Sequence, residues 1–154
     1  MSMNKFLIRR IIPVLITIAI LAFSCQKIPD SSLSKSIALD SILTPISAIN
    51  TAVANHNSDI IVTVKGTITA ILSDDTIAKK HQRFIIKLSN DQTLLITHNI
   101  DIAPRVAGIA TGSLVYVHGV YVWNSKGGVV HWTHHDPDGV HETGWIVFGG
   151  KKYQ

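Results

Sequence analysis

"DIIVTVKGTITAIL", residues 59–72, has Ile, Val or Thr at nine of its fourteen positions. Polar side chains recur at Thr63, Lys65, Thr67 and Thr69, every second residue. Alternation of this kind puts polar groups on one face of an extended chain and apolar groups on the other, so the stretch reads as one long strand. Gly66 interrupts it near the middle, where a residue without a Cβ marks a bulge or bend.

Working outward, the same signal returns four times. "HQRFIIKL" (81–88) and "QTLLITHNI" (92–100) flank "SND", and "LVYVHGVYVW" (114–123) and "GVVHWTHH" (128–135) flank "NSKG". Each pair reads as a hairpin around a turn. "SDDTIAKK" (73–80) is a loop, and "APRVAGIATGS" (103–113) connects the third and fourth strands. Upstream, Ile42, Ile46, Ile49 and Val53 fall near helical spacing, with Thr44 as cap and Pro45 at the first helical position. The expected fold is therefore mainly β with one preceding helix. Five strands, a bent first strand and a connector before the fourth resemble an OB-type barrel. A strongly bent antiparallel sheet is the alternative.

The N-terminus has a different character. Lys5, Arg9 and Arg10 precede a run from Ile11 to Phe23 without charge. That run is too short to span a bilayer but suits a secretory signal peptide, here residues 1–24. Cys25, the only cysteine, follows Ser24 in a sequence that resembles the lipobox of bacterial lipoproteins. The expectation is export, lipidation at Cys25, membrane attachment through that lipid in the periplasm or at the outer membrane, and a polar tether over 25–43 with "QKIPDSSLSKS" at its start. A single domain then occupies 44–154. Removing Lys5, Arg9 and Arg10 from the 14 basic residues leaves 11 against 10 acidic. Such a balance disfavours nucleic acid as a partner, since phosphate binding needs a clear excess of Lys and Arg.

Several blocks are distinctive together: "LSDD", "HQRF", "HNIDIAPR", "VYVWNSKGGVVHWTHHDPDGVH" and the closing "GW". They resemble an exported bacterial family, domain of unknown function 3465, from about Ser58 to the C-terminus. Where that family has Glu before the aromatic of the fourth strand, this chain has Val120. The resemblance implies export and supplies no mechanism.

Function has to be read from the histidines. Centring the first turn on Asn90 and Asp91 sets Arg83 opposite His98, with His81 on the same face. A tight second turn sets Val122 opposite His131, Tyr121 opposite Trp132 as an aromatic core pair, and His118 opposite His135. "DPDG" then reads as a turn held by Asp136, with Gly139 at positive φ. Pro137 stops the strand near His134 and brings His135 and His141 back against the sheet. The candidate ligand-binding residues are His81, Arg83, His98, His131, His134, His135, Asp136 and His141. Imidazole and guanidinium groups gathered on one face suit a polar or anionic ligand. Imidazole is also the commonest transition-metal ligand, which makes His98, His134, His135 and His141 candidate ligands of a divalent metal. No nucleophile elbow and no phosphate loop is present, so a non-catalytic binding domain is the leading expectation. A metal- or histidine-dependent phosphodiesterase or nuclease-like hydrolase is the alternative.

Overall fold

Strand β1 (Ile60–Asp75) serves two neighbours in succession. Its first half, Ile60 to Thr67, pairs antiparallel with β4 (Leu114–Val122), and its second half pairs with β2 (His81–Lys87). The handover falls at Gly66 and Thr67, where a Cβ on Gly66 would stand 2.9 Å from the Lys87 carbonyl oxygen. Register shifts between Ile68 and Ala70, and between Leu72 and Asp75, bend the strand further. The protein is described here by a computed structural model over residues 30–154. The expected signal peptide, Cys25 and the first residues of the expected tether lie outside the described residues.

Seven strands form one sheet in the order β1-β2-β3-β5-β4-β6-β7, with β3 at Thr93–Asn99, β5 at Val129–His131, β6 at Trp145–Phe148 and β7 at Lys151–Tyr153. The added β1–β4 pairing closes a ring through β1, β2, β3, β5 and β4. Strand makes up 40% and helix 15% of the described residues, so the fold is mainly β, as the alternation indicates. β5 lies parallel to β3 at Leu95 and Ile96 and antiparallel to β4 at Val120 to Val122. The same edge of β4 then carries β6 at Tyr116 to His118. Inside the ring, Val62, Val64, Ile68, Phe84, Ile86, Leu94, Ile96, Val117, Tyr121 and Val130 are buried together.

Helix α1 (Asp30–Asp40) occupies the segment expected to be a polar tether. It has no apolar stripe to announce it and is held by polar contacts instead. Lys35 Nζ donates to the Gly150 carbonyl at 2.5 Å, and Asp40 accepts from Lys65 Nζ and the Tyr116 hydroxyl, both at 2.9 Å. Helix α2 (Ile46–Ala54) buries Ile49 and Ala52 against the core. It begins after Pro45, because Thr44 is bonded to β1 rather than to the helix: Thr44 N–H donates to the Thr63 carbonyl at 2.8 Å, and Thr63 N–H to the Thr44 hydroxyl at 2.9 Å. Among the described residues, no helix is long and apolar enough to cross a membrane.

Both hairpins exist, but each register differs from expectation. In the first, Gln82 faces His98 and Arg83 faces Thr97. The turn uses three residues, with Asp91 at φ +65° and Leu88 N–H donating to the Gln92 carbonyl. One extra turn residue moves the pairing by one place and exchanges the faces. His98 therefore points inward and Arg83 outward. In the second hairpin, Val120 faces His131 and Tyr121 faces Val130, a shift of two places that keeps the faces. The connection after Val122 is a wider loop, in which Asn124 Oδ1 accepts from the Lys126 and Gly128 N–H groups. His118 consequently pairs with Trp145 of β6, not with His135.

Candidate functional site

β5 ends at His131, three residues before the expected stop. Trp132 follows at φ +51°, a left-handed conformation that bulky residues seldom adopt and that breaks the strand. Asp136 then organises the return. Its carboxylate accepts from the backbone N–H groups of Asp138 at 3.0 Å and His141 at 2.8 Å, and from that of Val140. Gly139 takes φ +66°, as the "DPDG" signature requires. The loop closes where Gly144 N–H donates to the His134 carbonyl at 2.9 Å. A Cβ on Gly144 would lie 1.9 Å from the Trp132 carbonyl oxygen, so only glycine permits that approach.

Between this loop and the outer face of β2 and β3 lies a cavity of about 340 Å³. Its lining includes His81 and Lys79, Thr97 and Asn99, His131, Trp132, His134, Asp136, Asp138 and His141, with Ile102 and Val140 also contributing. His141 stacks flat on Trp132 at 4.6 Å between ring centroids, and His134 meets His141 edge-on at 5.2 Å. Burial pushes the His131 and His134 imidazoles below their ordinary pKa, which keeps them neutral. The His141 backbone N–H, followed by those of Asp138 and Val140, holds the Asp136 carboxyl below the usual range. The His131 Nε2 atom is buried and has no hydrogen-bond partner.

Five of the eight candidate residues, His81, His131, His134, Asp136 and His141, therefore share one cavity. Three do not line it. Arg83 donates from Nε to the Ser73 carbonyl at 3.0 Å. His98 is fully buried on the inner face, with Nδ1 2.9 Å from the Thr133 hydroxyl and Nε2 3.1 Å from the Pro104 carbonyl. His135 is exposed, with Nδ1 3.2 Å from the Thr143 hydroxyl. The candidate metal set of His98, His134, His135 and His141 is thus dispersed. Among the described residues, no three His, Cys, Asp or Glu side chains are gathered to hold an ion.

Sequence reasoning assigned Trp132 to the core, yet it is 39% exposed and lines the cavity, while Tyr121 alone is buried. Lys79 and Asn99 were not among the candidates, since neither belongs to a recognisable motif; only the strand register could have placed Asn99 beside His81.

No curated protein matches the chain. A family model described as "Protein of unknown function (DUF3465)" matches residues 32–154, which take in all but the first two residues of α1, α2 and the whole sheet. The chain belongs to that family.

Proposed function

We propose that this protein is a non-catalytic binding module of the bacterial cell envelope, exported and tethered by a lipid on Cys25, whose ring of strands presents one small polar ligand site. The observation that carries this reading is the cavity itself. Residues from β2, β3, β5 and the loop after it converge there, and an isolated structural turn needs no such convergence. Of the polar and anionic classes expected, the polar one is favoured. Arg83, the group best suited to an anion, is turned away, and the lining carries Lys79 against Asp136 and Asp138.

Ligand-observed magnetic resonance with ethylammonium, acetate and glycerol as probes tests the site. At least one probe should bind the wild type and lose binding in His134→Ala or His141→Ala, with the circular dichroism of the sheet unchanged. Binding that persists in both variants would place the ligand elsewhere.

A further inference from the structure

The cavity also indicates the chemistry of its ligand, an inference that rests on the reading just given. In His134, Nδ1 stands 2.8 Å from the His135 carbonyl oxygen, and in His141, Nδ1 stands 2.7 Å from the Glu142 carbonyl oxygen. A carbonyl can only accept, so in each ring Nδ1 carries the proton. A neutral imidazole has a single N–H, which leaves both Nε2 atoms as bare acceptors.

An anion entering here would meet acceptor atoms and the wrong charge. The charged side chains of the lining are Lys79 against Asp136 and Asp138, and Asp136 Oδ2 lies 3.9 Å from His141 Nε2. His81 faces the same space from β2, and Asp59 acts on His131 from the segment before β1. A cation bearing several N–H donors meets the opposite situation. A primary ammonium has three donors, and two Nε2 acceptors share the lining with the Asp136 and Asp138 carboxylates. We propose that the cavity receives the primary ammonium group of a small amine, which donates to Nε2 of His134 and His141. A divalent transition ion also takes imidazole lone pairs, but no three ligands are gathered for one among the described residues.

Acid removes such a site, because a protonated imidazole has no acceptor and repels a cation. The test uses the full chain in detergent micelles at pH 7.5 and 5.5, with a dispersed backbone spectrum required at both. Imidazole nitrogen spectra should show His134 and His141 as Nδ1–H tautomers at pH 7.5. Ethylammonium, charged at both values, should shift their Nε2 signals at pH 7.5 and bind at least tenfold more weakly at pH 5.5, while acetate does not bind. Acetate binding, ethylammonium binding that ignores pH, or stoichiometric zinc binding that displaces ethylammonium would each overturn the proposal. Glycerol binding alone would overturn the ammonium and leave the cavity as a polar site. No response to any probe would overturn both. Should His134→Ala or His141→Ala fail to fold, the acetate and pH arms on the wild type still decide.

Discussion

His98 accepts at Nδ1 from the Thr133 hydroxyl and donates from Nε2 to the Pro104 carbonyl, in a position with no exposed surface. It pins β3 to the loop after β5 and to the connector after β3. Replacing it with alanine removes buried volume and leaves those partners unsatisfied, which should cost about 2–4 kcal/mol in chemical denaturation. The ring is also a pH liability. Burial first, then the neighbouring His134, lowers its pKa from 6.5 in the folded state. His131 and His134 are lowered in the same direction by burial. A group that binds its proton better when unfolded contributes fully above the unfolded pKa, and that contribution is lost as pH falls below about 6.5. The midpoint of thermal unfolding should therefore fall between pH 7.5 and 5. A midpoint that rises on acidification would contradict the neutral, buried assignment. Gly144 is the second sensitive residue. Gly144→Ala drives a methyl into the Trp132 carbonyl and should cost about 1–3 kcal/mol, with loss of probe binding at the cavity.

At the level of elements, the turn of the first hairpin decides which face holds which histidine. Deleting Asn90 from a turn that keeps its three-residue form would draw Gln92 into the turn and slide β3 by one place against β2, carrying His98 outward and Thr97 into the core. The variant should lose its dispersed amide spectrum; a native-like spectrum would mean that β5, not the turn, fixes the register. This sensitivity explains what could be read in advance. Alternation in "DIIVTVKGTITAIL" and in the two hairpins reports strand positions directly, because period two follows from the pleat itself. Register does not follow from period, since "SND" is compatible with two- and three-residue turns. An offset of one residue therefore misassigned Arg83 and His98, while the two-place offset in the second hairpin left His131 on its expected face. α1 was illegible for another reason: its support comes from Gly150, Lys65 and Tyr116, far along the chain. The "DPDG" return was legible because Asp136 acts within five residues of itself.

For the whole molecule, the proposed leader and the domain make separate claims. Mass spectrometry of the membrane fraction should show a mature chain that starts at a diacylated Cys25; a soluble chain with a free thiol there would contradict the tether. The ring carries a different consequence, concerning order of assembly. Local contacts make the β2–β3 hairpin quickly, whereas the β3–β5 pairing joins Leu95 and Ile96 to Val129 and Val130 across the connector and all of β4. Distant pairings form after near ones because the intervening chain must first be confined. β5 is also only three residues long, so this seam has few bonds to resist parting. It closes last and opens first, and His131, Trp132 and His134 hang directly from it. The amides of Val129 to His131 should exchange with solvent sooner than those of Val62, Val64 and Val117, which makes the seam the natural door of the cavity.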